Sequence, residues 1–153
     1  MQSLELKIPP LALVVLFAGL MWLLARLTPG FDYAVPLRQV LVAVVSALAV
    51  LIALAGVASF RQASTTVNPL NPENSSALVV SGIYRITRNP MYLGFLLLLA
   101  AWSLMLANLA VLLLLPVFVW YMDRFQILPE ERALAGLFGN DYTNYCARVR
   151  RWL

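Results

Sequence analysis

The sequence contains no histidine and only one cysteine, Cys146. Without an imidazole the chain has no histidine general base and no histidine-ligated metal. One cysteine forms neither an internal disulfide nor a cysteine-rich metal site. The seven glycines are scattered and include no G-x-G-x-x-G motif, so a Rossmann-type cofactor loop is not expected. We therefore predict a protein that has no metal partner.

Charge is also scarce in this sequence. Only 12% of the 153 residues are charged and 62% are hydrophobic, whereas soluble domains carry about 25% charged residues. This composition predicts an integral membrane protein, and the length predicts a single domain over residues 1–153. Two N-terminal spans would occupy residues 1–61, and residues 78–153 would form the remaining part.

Long apolar runs predict an all-α protein with four transmembrane helices, since about 20 apolar residues cross a bilayer. Asn108 alone separates the last two runs, which predicts a tight helical hairpin, and Pro116 predicts a kink in the fourth run. The sequence after the first run, "ARLTPG", is a poor signal-peptide cleavage site, so we expect that run to be retained. The predicted spans are Leu11–Leu27, Gln39–Phe60, Pro90–Ala107 and Leu109 to about Leu128.

The basic residues predict the orientation of these spans. Nine of the eleven lie before the first span, between the second and third, or after the fourth, and only Arg26 and Arg38 lie on the opposite side. Loops rich in Lys and Arg stay in the cytoplasm. We therefore expect a multi-pass protein of a bacterial inner membrane with both termini in the cytoplasm.

Beyond the fourth span, residues 129–153 predict two short cytoplasmic or interfacial helices. Pro129 fits the first helical position, with Glu130 and Glu131 in the first turn, and Gly139 fits the stop. The second helix would carry an apolar stripe typical of a helix lying at the membrane interface. On this helix, Tyr142–Trp152, the stripe consists of Tyr142, Tyr145, Val149 and Trp152.

The predicted hairpin brings two polar segments together on one side of the membrane. Packed helices lie 8–10 Å apart, so Asn89 would approach the region from Asp123 to Glu131. Each polar feature also has an interpretation without a site. Asn89 would cap a helix, the paired acids would complement a helix dipole, and Tyr92 would be an interfacial aromatic residue.

Two blocks of sequence, "LVVSGIYRITRNPMYLG" and "PEERALAGLFGNDYTNYCARVRRWL", resemble the isoprenylcysteine carboxyl methyltransferase family and its phospholipid methyltransferase relatives. The resemblance runs from Leu78 to the C-terminus. Asn89 stands where the family commonly has histidine, and its amide cannot take a proton. The matching positions are Gly82, Tyr84, Arg88, Asn89, Pro90, Tyr92 and Gly94, followed by Glu130, Glu131, Leu134, Phe138, Gly139, Tyr142 and Tyr145.

The resemblance implies methyl transfer from S-adenosylmethionine at the cytoplasmic face, with S-adenosylhomocysteine as product. It implies that Glu130 or Glu131 holds the cofactor ammonium or ribose, and that Arg88 or Arg124 holds its carboxylate. The implied catalytic residues are Asn89, Tyr92 and Arg88. The implied cofactor-binding residues are Tyr84, Asn89, Pro90, Tyr92, Leu93, Arg124, Glu130, Glu131, Tyr142 and Tyr145.

The sequence leaves the methyl acceptor open. Three acceptors suit such a scaffold: an isoprenylcysteine-like carboxylate, a phospholipid amine and a lipophilic thiol. The sequence does not rank them, because the spans that would contact the acceptor are undifferentiated Leu, Val and Ala. A non-catalytic membrane scaffold is the alternative from another class. The expected partners are a lipophilic or lipid-attached substrate and membrane lipids, with no nucleic acid.

Overall fold

The computed structural model describes residues 5–31, 34–63 and 77–153. Residues 1–4, 32–33 and 64–76 therefore lie outside the described residues. The described chain is built from helices. In chain order these are α1 (Pro10–Leu27), α2 (Val35–Gln62), a 3₁₀ turn (Gly82–Arg85), α3 (Pro90–Leu106), α4 (Leu109–Leu112), α5 (Leu114–Met122), a π turn (Asp123–Ile127) and α6 (Leu128–Arg148).

Three helical runs are long and apolar enough to cross a membrane: Pro10–Leu27, Val35–Gln62 and Leu109–Arg148. The apolar helix α3, Pro90–Leu106, is shorter, with 17 residues. The predicted all-helical fold is thus confirmed. The second helix begins four residues before the predicted Gln39 and ends two residues after the predicted Phe60.

Helices α2 and α3 approach each other closely because a glycine lies between them. A Cβ atom at Gly94 would lie 2.8 Å from the carbonyl oxygen of Ala49 and 2.9 Å from Cβ of Ala53. Small residues of this kind let helix backbones come together in a membrane. The contact fixes the first turns of α3, which carry part of the candidate site, against α2.

The connection after α3 does more than join two helices. Ala107 adopts a left-handed conformation, with φ 48° and ψ 49°, and its carbonyl accepts a hydrogen bond from the amide of Phe31 at 2.8 Å. The buried Asn108 caps α4 by accepting the Ala110 amide at 2.9 Å, and it donates to Oγ1 of Thr28 at 2.9 Å. Asn108 therefore attaches the end of α1 to this connection.

Pro116 was predicted to kink the fourth run, and in the structure this run is interrupted at Leu113, between α4 and α5. Proline has no amide hydrogen to give the carbonyl four residues earlier, here that of Leu112. The predicted start of a separate helix at Pro129 is wrong, since the helical run continues through the π turn into α6. Pro129 instead frees the carbonyl of Phe125, which accepts the amide of Leu6 at 3.0 Å.

Gly139 is the stop that the sequence predicted, and it divides α6 with φ 51° and ψ −121°. The helix beyond it ends at Arg148 rather than at Trp152, because Val149 is extended. The predicted interfacial stripe is also wrong. Its tyrosines are buried inside the protein, in a cluster whose core is Val79, Tyr84, Tyr142, Tyr145 and Val149.

Candidate functional site

The site begins at the residues that precede α3, where the C-terminal segment 149–153 returns to the helix bundle. The amide of Arg88 donates to the carbonyl of Arg150 at 3.0 Å, and Nδ2 of Asn89 donates to the carbonyl of Arg151 at 3.0 Å. Thr87 and Arg150 form an isolated parallel bridge. The side chain of Asn89 makes no capping hydrogen bond to α3, so the helix-cap interpretation is wrong.

Glu131 lies at the centre of a network of charged groups. Its Oε1 accepts from Nη2 of Arg88 at 2.8 Å, and its Oε2 accepts from Nη2 of Arg151 at 2.7 Å. The hydrogen bonds from Arg151 to Glu131 raise the pKa of the Arg151 guanidinium. Arg151 also lies 3.6 Å from Asp123, whose carboxylate accepts the indole N–H of Trp152 at 3.1 Å. The network joins the start of α3, the π turn, α6 and the C-terminal segment.

Glu130 has a different environment from its neighbour. Its Oε1 accepts a hydrogen bond from the hydroxyl of Tyr92, whose side chain is only 4% exposed. Within the parts of the chain that the structure describes, Glu130 forms no ion pair, whereas Glu131 has two. A partly buried carboxylate without a cation is unfavourable, so Glu130 is the acid that is available to a positively charged ligand group.

Arg88 keeps one donor without a partner. Its Nη2 binds Glu131, but its Nε is buried and has no hydrogen-bond acceptor among the described residues. Leaving a buried N–H unsatisfied costs about 1–3 kcal/mol. A carboxylate or carbonyl oxygen of a ligand would satisfy it. Glu130 and Arg88 thus offer an acceptor for a cation and a donor for an anion, both held near the start of α3.

Three buried tyrosines, Tyr84, Tyr142 and Tyr145, pack together in one cluster of the protein core. The hydroxyl of Tyr145 donates to the carbonyl of Tyr84 at 2.7 Å, and the rings of Tyr142 and Tyr145 lie 6.4 Å apart. Burial raises the pKa of the Tyr84 hydroxyl, and the nearby Tyr145 and Glu130 raise it further. Tyr84 is therefore protonated at neutral pH, and its hydroxyl remains a donor.

The remaining predicted cofactor-binding residues, Pro90, Leu93 and Arg124, make contacts within the protein. Pro90 and Leu93 are buried in the first turn of α3, where the Leu93 amide donates to the Asn89 carbonyl at 2.9 Å. Arg124 does not join the Glu131 network. Its Nη1 lies 3.5 Å from Oε1 of Glu5, because the π turn places it beside the N-terminal segment.

Sequence reasoning missed Thr87, Arg151 and Trp152 as members of the site. It included Asp123 only as one end of the region expected to lie near Asn89. The run from Val149 to Trp152 has helical spacing, so no local signal separates it from the preceding helix. The deciding interactions are backbone hydrogen bonds to Arg88 and Asn89, more than 60 residues away. The available signal was the group of arginines that follows Glu130 and Glu131 in the sequence. This signal did not show which arginine would contact the acids.

A family model described as phospholipid methyltransferase matches residues 37–141. The chain belongs to this family. The match extends from α2 into α6 and includes Arg88, Asn89, Tyr92, Glu130 and Glu131. It ends before the C-terminal segment that contributes to the Glu131 network. Family membership and the long apolar helices identify the chain as an integral membrane protein.

Individual proteins are similar to parts of this chain. Protein-S-isoprenylcysteine O-methyltransferase B of Arabidopsis thaliana is 36% identical over 77 residues, which are 50% of this chain and 39% of that protein. Protein-S-isoprenylcysteine O-methyltransferase of Schizosaccharomyces pombe is 33% identical over 72 residues, 47% of this chain and 30% of that protein. An uncharacterized protein of Haemophilus influenzae is 44% identical over 63 residues, 41% of this chain and its own whole length.

The matched segment therefore spans about two fifths or less of the two named methyltransferases. No solved structure matches the chain. Within the matched residues 37–141, the two acids of α6 contact residues near the start of α3. Glu131 binds Arg88, and Glu130 binds Tyr92.

Proposed function

We propose that this chain is a membrane methyltransferase that uses S-adenosylmethionine and acts on a lipophilic acceptor at the cytoplasmic face. The observation that carries the proposal is the unequal environment of the two acids. Glu131 is fully engaged by Arg88 and Arg151, while Glu130 has a tyrosine hydroxyl and no cation among the described residues. Such an arrangement suits a ligand that brings its own ammonium.

The residues present fit the polar groups of S-adenosylmethionine. Glu130 would hold the ammonium, and the unsatisfied Nε of Arg88 would donate to the carboxylate, both as charge-assisted hydrogen bonds. Tyr84, Tyr92 and Tyr142 would line the adenosine side. When bound, S-adenosylmethionine supplies a methyl group on a sulfonium, which is ready for displacement.

The chain's own residues then orient two reactants and exclude water, the main contributions that a displacement of this kind requires. Glu131 keeps the Arg88 side chain in position, and Asn89 holds the C-terminal segment over the start of α3. The amide of Asn89 cannot act as a base. An acceptor that is already an anion needs no base, which favours a carboxylate.

The favoured acceptor is therefore a lipid-attached carboxylate, in keeping with the names of the isoprenylcysteine O-methyltransferases that resemble part of this chain. It would enter from the bilayer. We also propose four membrane spans, with α3 as the third, and α3 and α5 as the antiparallel pair that brings the two polar segments together. Both termini would lie in the cytoplasm.

A methyl-transfer assay tests the activity. The full chain in nanodiscs would be incubated with tritiated methyl donor and S-farnesylcysteine, phosphatidylethanolamine or a long-chain thiol. We expect label in S-farnesylcysteine that alkali releases as methanol, as a methyl ester requires. The Glu130→Gln variant should transfer far less label than the wild type. Transfer to none of the three acceptors would contradict the proposal.

A phospholipid amine is the second candidate acceptor, because the matching family model is described as phospholipid methyltransferase. In that case the label would enter phosphatidylethanolamine and would resist alkali, since an N-methyl bond is not an ester. The same assay therefore separates the two acceptors. A non-catalytic scaffold would transfer no label and bind no cofactor product.

A further inference from the structure

A cavity lies beside Tyr145, between residues of the 3₁₀ turn and residues at the end of α6. Its volume is about 370 Å³, within the range of roughly 300–1,000 Å³ of small-molecule sites. None of the lining residues that the structure describes belongs to the network around Glu131. The lining residues are Val80, Arg85, Tyr145, Arg148 and Val149, of which Tyr145 also belongs to the tyrosine cluster described above.

The charge of this cavity is one-sided. Two of the lining residues that the structure describes are arginines, and none of these described residues is acidic. Arg148 donates its Nε to the Asn144 carbonyl at 3.2 Å, and neither arginine forms an ion pair with any residue that the structure describes. By contrast, Arg88, Arg124 and Arg151 each lie beside a carboxylate. Two guanidinium groups without carboxylates attract an anion, and their planar donors match a phosphate.

The surroundings of the cavity identify a lipid as the source of that anion. Val80 is 42% exposed and Ile86, next to Arg85, is 65% exposed. Arg85 precedes the first residue of the apolar helix α3 by five positions, so it lies within about 17 Å of that helix start even for an extended chain. If α3 spans the membrane, its start lies near the membrane surface, where acyl chains meet headgroups. Exposed aliphatic residues such as Val80 and Ile86, beside Arg85, would contact both parts of a lipid there.

We propose that this cavity binds the phosphodiester of an anionic membrane phospholipid. Arg85 and Arg148 donate to the phosphate oxygens, and Val80 and Val149 contact the glycerol and upper acyl region. The volume exceeds that of a phosphate alone and accommodates a headgroup. Because the two arginines take no part in the proposed cofactor site, this inference does not depend on the proposed function.

Native mass spectrometry of the detergent-purified full chain tests the site with phosphatidylglycerol as probe. We expect the double variant Arg85→Gln/Arg148→Gln to bind phosphatidylglycerol about 10-fold more weakly or worse, since each arginine contributes a charge-assisted hydrogen bond. Arg61→Gln is the matched control, because Arg61 is an exposed arginine at the end of α2 outside the cavity. It should leave the affinity within about twofold, because Arg61 is not among the residues that line the cavity.

Further probes separate the sources of the anion. Diacylglycerol, which lacks the phosphate, should bind weakly, and inorganic phosphate should not displace phosphatidylglycerol. Unchanged thermal unfolding would show that the double variant is folded, and Arg85→Lys provides a milder variant that keeps the charge and should retain part of the affinity. Equal binding of diacylglycerol, full displacement by inorganic phosphate, or wild-type affinity of the double variant would overturn the proposal.

Discussion

At the scale of single residues, two adjacent acids on one helix face different partners. Glu130 and Glu131 are consecutive, so their side chains point about 100° apart around α6. One meets Tyr92, and the other meets Arg88 and Arg151. We therefore propose that Glu130 binds the ligand and that Glu131 holds the site together, a distinction that the sequence pattern Glu-Glu does not contain.

Glu131→Gln should lower stability rather than act mainly on ligand affinity. The substitution removes the charge between Arg88 and Arg151. It leaves Arg88 without a carboxylate among the described residues and Arg151 with Asp123 alone, at a cost of roughly 1–3 kcal/mol. Thermal unfolding in detergent measures the effect. Asp141→Asn is the control, because Asp141 is an exposed acid on the same helix. Equal melting temperatures for the two variants would contradict the structural role of Glu131.

Substitutions at Asn89 should rank by their ability to donate to the Arg151 carbonyl. Asn89→His retains a ring N–H and should be tolerated best, whereas Asn89→Asp has no donor and places a charge against a carbonyl oxygen. Ser is short and should behave like Asp. A helix cap would give the opposite order, with Asp and Ser ahead of His. Carboxypeptidase sensitivity and affinity for S-adenosylhomocysteine measure the ranking, and the cap order in both assays would contradict it.

The sequence predicted at this scale that Arg88, Asn89, Tyr92, Glu130 and Glu131 lie together, because they follow a pattern of residue types. The actual partners could not be predicted. Arg124 and Arg88 were equivalent candidates in the sequence, but a π turn directs Arg124 to Glu5. Such a choice depends on a local change in helix geometry, which apolar periodicity does not report.

At the scale of helices, prolines explain features that hydropathy alone does not. Pro116 interrupts the helical run at Leu113, and Pro129 releases a carbonyl that binds the N-terminal segment. A proline inside a helix removes one hydrogen bond, and the freed carbonyl takes another partner. The sequence predicted a helix start at Pro129 because proline favours first positions, and the π turn with its 3.0 Å contact from Leu6 outweighed that tendency.

Gly94→Ala should destabilise the packing of α3 against α2. The new methyl group would lie 2.8 Å from a backbone oxygen of Ala49, so the helices must separate, at a cost of about 1–3 kcal/mol. Gly136→Ala is the matched control. Gly136 lies in α6 with open space around its Cβ position, and alanine there should raise stability by up to about 1 kcal/mol. Thermal unfolding of both variants checks the opposite signs, and a stabilised Gly94→Ala would contradict the close approach.

The end of α6 illustrates the limit of helix prediction from sequence. Positions 149–152 continue the apolar spacing of the preceding helix, and the stripe was therefore assigned to one helix. In the structure, hydrogen bonds from Arg88 and Asn89 hold this segment extended. Tertiary contacts of this kind override local spacing, so the segment that completes the site was the part least accessible to sequence reasoning.

At the scale of the whole molecule, the basic residues make a prediction about topology. With both termini in the cytoplasm, residue 34 between the first two spans and residue 153 lie on opposite sides. Ala34→Cys and Leu153→Cys, each in a Cys146→Ser background, should therefore react with an impermeant thiol reagent from opposite faces of oriented vesicles. Labelling of both positions from the same face would contradict the four-span arrangement.

The central claim is that the site around Glu130 binds S-adenosylmethionine through its ammonium. Isothermal titration of the purified chain with S-adenosylhomocysteine, which carries the same ammonium and carboxylate, tests it most directly. We predict saturable binding to the wild type and an affinity about 10- to 100-fold lower for Glu130→Gln, the loss of one charge-assisted hydrogen bond of roughly 1.5–3 kcal/mol. No binding by the wild type, or equal affinity of the two proteins, would contradict the account.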